Sequence, residues 1–183
     1  MHQPTLTPQQ LKRAMQCAVQ CDALLTSDPL LRTFTWEENW IDGADMAMYY
    51  SGGGDNAMVF FGADGQVLIK GFDHESQVSA HARDVYAVWP RMYDDVPAAL
   101  TACLADERAE QDEVTFVLWS EDGVQWCQGR AAISEGRDDG SEWLLDMLQM
   151  DAQGFIEWGR DYFGAKFDDV ACEAVRRVFS QHG

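Results

Sequence analysis

Apolar positions recur with a helical period at both ends of the chain and in short strand-like runs through its middle. Near the start, Leu11, Ala14, Ala18, Cys21 and Leu25 return on one helical face. Ahead of them, Thr7-Pro8-Gln9-Gln10 has the form of a helix start, with Thr as N-cap, Pro at the first helical position and Gln placed to return the capping bond. A helix from Pro8 to about Thr26 is predicted, broken by Ser27-Asp28-Pro29. The stretch from Leu30 to Gly43, with Phe34, Trp36 and Trp40, reads as an aromatic-rich loop or short helix.

Strand signals begin at Met46. Met46 to Tyr50 suits a strand, Ser51-Gly52-Gly53-Gly54 interrupts it, and Ala57 to Phe61 resumes. The turn Gly62-Ala63-Asp64-Gly65 then leads into Val67 to Phe72, which makes a β-hairpin. A second hairpin is predicted from Val114 to Trp119, the turn Glu121-Asp122-Gly123, and Val124 to Cys127. Between the hairpins, Asp94-Asp95 reads as the cap of a helix that turns Leu100, Cys103 and Leu104 inward.

The last third is helical. Asp139-Gly140-Ser141-Glu142 has the pattern of a capping box ahead of Trp143, Leu144, Met147 and Leu148. Phe155, Ile156, Gly159, Tyr162 and Phe163 mark the next helix, ending near Gly164. Asp168 caps the last one, with Val170, Ala174, Val175, Val178 and Phe179 inward. The expected fold is α+β, a single domain over residues 1–183. It has an antiparallel sheet of about five strands built from hairpins, covered on one face by the N-terminal and C-terminal helices.

Charge changes the picture more than composition does. Thirty-one acidic side chains face 13 basic ones, for a formal net charge of −18. Spread over the surface expected for this mass, that is one uncompensated negative charge per roughly 490 Å². Phosphate backbones and anionic membrane surfaces are repelled, because binding to either depends on Lys and Arg, which are scarce here. The first residues, MHQPTLTPQQ, lack a signal-peptide apolar core, and no apolar run reaches the roughly 18 residues of a membrane span. Cys17, Cys21, Cys103, Cys127 and Cys172 are odd in number and form no CxxC pair, which fits core packing in a reducing cytoplasm.

Candidate chemistry gathers at one place. Asp73-His74-Glu75-Ser76 follows the strand that ends in Lys70-Gly71-Phe72, where a rigid sheet can hold polar side chains against solvent. His74 stands between two carboxylates, which raises its pKa and suits proton transfer or ligand binding. Asp55 closes the glycine run and is the fourth candidate. The bland alternative makes Asp73 or Ser76 a turn cap and His74 a solvated loop residue. Adjacent Asp, His and Glu project in different directions, so no metal set and no cofactor are assigned. Without a GxSxG elbow, no catalytic residue is assigned either. Trp119, Trp126, Trp143 and Trp158 read as core; Trp36, Trp40 and Trp89 are less constrained, with burial the favoured reading and an anchor for a basic partner the alternative where one stands exposed amid carboxylates.

The run SGGGDNAMVFFGADGQVLIKGFDHES, then VTFVLW, then DDGSEWLLDML, resembles an uncharacterised family of small acidic bacterial cytoplasmic proteins, from Tyr50 to about Phe163. The resemblance implies a small acidic α+β protein and carries over no catalytic residue. Immunity partners of toxins are similar in size and charge. The expectation is therefore a non-catalytic acidic protein that engages a basic protein such as a toxin or nuclease. The alternatives are a small enzyme or metal- or ligand-binding domain centred on Asp73, His74 and Glu75, and a housekeeping domain whose charge serves solubility alone.

Overall fold

Helix α1 (Pro8–Leu25) starts with the expected capping box: Thr7 Oγ1 accepts from the Gln10 N–H, and Gln10 Oε1 accepts from the Thr7 N–H at 3.0 Å. Near its end lies a buried carboxylate. Asp22 Oδ2 accepts from the Thr33 N–H at 2.7 Å, the Thr33 hydroxyl at 3.0 Å and the Phe34 N–H at 2.8 Å, which fixes where the chain enters the sheet. The computed structural model that shows this describes residues 2–134 and 136–181.

The fold is α+β. Strands β1 (Phe34–Ile41), β2 (Ala44–Tyr50), β3 (Asn56–Phe61), β4 (Val67–Phe72), β5 (Phe116–Ser120) and β6 (Cys127–Gln128) pair antiparallel in chain order. The strand beyond the expected five is β1, which replaces the predicted loop or short helix. Phe34 and Trp36 pair with Tyr49 and Ala47 and point at the helices. Glu38, Asn39 and Trp40 then stand opposite the single residue Asp45, with Asn39 at φ +53°. This bulge turns Trp40 onto the other face, where its Nε1 donates to the Cys103 carbonyl at 2.8 Å. The strand predicted over Val124 to Cys127 shrinks to β6. Asp122 Oδ1 accepts from the Val124 and Gln125 N–H groups, both at 2.8 Å, and that turn takes the backbone bonds a ladder would use.

Both faces of the sheet are covered, where one was expected. Ala57, Val59, Phe61, Val67, Ile69 and Leu118 meet α1, α3 (Ser141–Leu148), α4 (Ala152–Phe163) and α5 (Asp169–Gln181). Met58, Phe60, Leu68, Val117 and Trp119 lie under residues 73–115, which hold only the four-residue helix α2 (Ala98–Thr101) and short 3-10 turns. Every residue of β3 and β4 is consequently buried, which explains the apolar runs Ala57 to Phe61 and Val67 to Ile69. Glycine is required where β4 meets β5: a Cβ on Gly71 would stand 2.0 Å from the Phe116 ring.

Two predicted caps are corrected. Asp94 accepts from Arg91 Nε and Asp95 pairs with Arg130, so α2 starts after Pro97 without a side-chain cap, although Leu100, Cys103 and Leu104 are buried as expected. At α3 the N-cap is Gly140 at φ +75°, and Asp139 Oδ1 instead accepts from the Ser141 N–H at 3.0 Å. The end of α4 at Gly164 and the Asp168 cap of α5 stand, with Asp168 Oδ1 accepting from the Ala171 N–H at 2.9 Å. Val170 is exposed, and the buried positions of α5 are Ala171, Cys172, Val175 and Val178.

Candidate functional site

Strand register builds the site. Asn56 pairs with Phe72, so the residue before β3, Asp55, and the residues after β4, Asp73 and His74, arrive at the same end of the sheet. The connection from β2 is a closed turn: the Ser51 N–H donates to the Asp55 carbonyl at 3.0 Å, and the Ser51 hydroxyl bonds Asp55 Oδ2 at 3.0 Å. Gly54, at φ +112°, supports the ring of His74, since a Cβ there would lie 3.7 Å from it.

Asp55 Oδ1 accepts from the His74 N–H at 3.0 Å and bonds the ring Nδ1 at 2.6 Å. Burial raises the Asp55 carboxyl, but the His74 N–H, the His74 ring and the Ser51 hydroxyl outweigh it and hold the group below the usual carboxylate range. The same bond to Asp55 pushes the His74 imidazole up, helped by the charges of Asp55, Glu75 and Asp73. The His74 side chain is 45% exposed, and Nδ1 is occupied by Asp55, so Nε2 is the nitrogen left for chemistry.

Asp73 is buried and structural. Its Oδ1 accepts from the Glu75 N–H at 2.9 Å, its Oδ2 from Trp143 Nε1 on α3 at 2.9 Å, and its N–H donates to Thr115 Oγ1 at 3.2 Å. Ser76 Oγ donates to the Asp138 carbonyl at 2.8 Å, and Thr115 Oγ1 to the Asp139 carbonyl at 2.7 Å. These bonds stitch the end of β4 to the loop before α3. Asp55, Asp73 and His74 thus bring atoms able to hold a cation within 4.8 Å of one another. Glu75 does not join them: its side chain is 85% exposed and reaches only to 4.0 Å from His74 Nε2. His81 bonds Glu113 at 2.9 Å instead. Each of the four carboxylate oxygens of Asp55 and Asp73 accepts at least one hydrogen bond from the protein.

Two groups escaped the sequence reading. Trp143, read as core, holds Asp73 in place, and no local signal foretells that. Lys70 is fully buried on the second face of β4, and its Nζ lacks a hydrogen-bond partner. Burial pushes it down to about 8, with Glu110 and Glu113 pulling it partly back.

The surface is as acidic as the composition requires. Lys12 pairs with Asp45, Arg91 with Asp94, Arg108 with Glu37 and Asp106, Arg130 with Asp95, and Arg176 with Glu173. Burial is the rule for the tryptophans: Trp40 and Trp119 are buried, and Trp36, Trp89, Trp126, Trp143 and Trp158 are half-buried against the two cores. Arg108 covers the Trp40 ring at 4.1 Å, and Arg83 and Arg137 lie over Trp89 at 5.7 and 5.2 Å. Exposed apolar side chains are found at Leu24, Leu30 and Leu31 beside the end of α1, at the neighbours Val85 and Tyr86, and singly at Tyr50, Val124, Tyr162 and Val170. Cys17, Cys21, Cys103 and Cys172 are buried as expected, and Cys127 is exposed. Among the described residues no helix is long and apolar enough to cross a membrane.

Comparison of the chain with protein-family models, with curated proteins and with solved structures finds no match.

Proposed function

We propose that this protein binds a basic protein partner through its acidic surface and acts by that association rather than by catalysis. The observation that carries the reading is the charge left over after internal pairing. A net −18 on 9582 Å² is one uncompensated negative charge per roughly 530 Å², and five of the 13 basic side chains are held in surface ion pairs. Such a field speeds encounter with a cationic surface and suppresses polynucleotides and other acidic proteins. A basic toxin or nuclease is a partner class of the matching charge.

Capture tests this. The tagged full-length chain is incubated with extract of its source cells at low ionic strength and eluted with rising salt. The expected eluate holds one protein of strongly basic composition, released as the Debye length falls to about 3 Å near 1 M salt. An acidic partner, retention that ignores salt, or recovery of nucleic acid alone overturns the reading.

One observation favours a second reading. Asp55 fixes His74 Nδ1 at 2.6 Å and leaves Nε2 outward with Glu75 Oε1 at 4.0 Å, which suits proton transfer or capture of a divalent cation by His74, with Asp55 positioning the ring. Zinc titration followed by the His74 ring resonances decides it. Saturable binding lost in His74→Gln supports this reading, and unmoved resonances discard it.

A further inference from the structure

Residues 83–97 form a fifteen-residue connection without helix or strand between a 3-10 turn and α2. Loops of that length in a compact fold are uncommon and are usually either functional or linker segments. It is pinned from within. Arg83 Nη1 donates to the Ala87 and Val88 carbonyls at 3.3 and 3.0 Å, Met92 is buried, and the Tyr93 hydroxyl donates to the Gln111 carbonyl at 2.6 Å. The outward part nevertheless presents two apolar side chains to water: Val85 is 75% and Tyr86 49% exposed.

The Tyr86 ring is fixed. Its hydroxyl donates to Glu113 Oε1 at 3.0 Å and its ring makes a T-shaped contact with the His81 ring at 5.0 Å. Asp84 is exposed two residues before it, and the Glu113 N–H donates to the Glu110 carbonyl at 2.9 Å, a turn that keeps the exposed Glu110 and Asp112 beside the carboxylate that Tyr86 bonds. The nearest arginine in sequence, Arg83, is turned inward to the loop carbonyls. The exposed leucines beside α1 lack this complementarity, since the groove containing Leu31 and Tyr162 carries one side chain of each sign, Asp28 and Lys166.

The geometry points to Val85 and Tyr86, framed by Asp84, Glu110, Asp112 and Glu113, as the surface on which a basic protein docks. This rests on the basic-partner reading above and adds its location and chemistry. A guanidinium or lysine stem of the partner lies on the Tyr86 ring while its charge faces the surrounding carboxylates, and an apolar neighbour covers Val85. Because Glu113 and His81 hold the ring beforehand, little side-chain freedom is lost on binding.

The probe is an alternating arginine–leucine octapeptide, titrated at low ionic strength into the isotope-labelled full chain while backbone amides are followed. Perturbations are expected to concentrate at residues 84–87 and 110–113. Val85→Ser with Tyr86→Ala should weaken binding about tenfold, and Leu30→Ser with Leu31→Ser should leave it unchanged. Val85→Ser alone, at an exposed position, gives a smaller loss in the same direction. Perturbations spread evenly over the surface acids, or centred on Leu30 and Leu31, overturn this surface while the basic-partner reading stands. An octapeptide that fails to bind at all overturns both.

Discussion

Replacing Lys70 with methionine should make the protein more stable at neutral pH. The lysine is fully buried, its Nζ has no hydrogen-bond partner, and burial pushes its pKa from 10.5 to about 8. That displacement is worth about 3 kcal/mol in favour of the neutral amine. Below about pH 8 the ammonium is present in both folded and unfolded chains, and the folded chain carries the full penalty. Above 10.5 neither state holds the proton, and the penalty is gone. The wild type therefore gains stability relative to Lys70→Met as pH rises from about 8 to 10.5. Methionine keeps the volume of the lysine stem, so little cavity or overpacking cost is added. Urea unfolding followed by tryptophan fluorescence, run on both proteins across that range, gives the difference directly. Titrations common to both chains, such as Cys21 and Tyr49, each pushed up to about 12, cancel in the comparison. An advantage of about 3 kcal/mol for Lys70→Met near neutrality, closing on the alkaline side, is expected. A gap that does not change with pH, or a variant less stable at neutrality, refutes the reasoning.

Other expectations follow from single contacts. Asp55→Asn removes the charge that raises His74, so the ring should titrate lower than in the wild type by proton NMR. The wild-type ion pair should persist between the Asp55 pKa, below 3.8, and the His74 pKa, above 6.5, and be lost outside that window. Gly71→Ala places a methyl into the Phe116 ring at the β4–β5 pairing and should cost about 3 kcal/mol in chemical denaturation; a cost under about 1 kcal/mol would mean that the strands separate freely there. Asp22→Ala leaves Thr33 and Phe34 donors unpaired in the core and should cost about 3 kcal/mol, with Asp22→Asn recovering part of it.

Local signals were the legible ones. The Thr7 and Gln10 box, the Gly164 stop and the Asp168 cap depend on a few neighbouring residues, and each is present as read. The hairpin turn at Gly62 to Gln66 sets the β3–β4 register, so the meeting of Asp55 with Asp73 and His74 was implicit in the spacing. Glu75 could not be separated from them by spacing, because only the Asp73 turn decides that its side chain swings outward. Strand β1 was hidden by its own bulge: Glu38 breaks the alternation that Phe34 and Trp36 begin, and Asn39 at φ +53° has no counterpart in a regular strand. The burial of Lys70 depends on residues 73–115 folding over the second face with little regular structure, which periodicity cannot report.

The acidic surface as a steering field is the claim on which the functional account turns. Its direct measurement is the association rate constant between the full-length chain and the purified captured partner, followed by stopped-flow tryptophan fluorescence over increasing salt. The account predicts a rate that falls steeply as salt rises, while the dissociation rate changes little. An association rate indifferent to salt, or one that rises with it, would contradict the account.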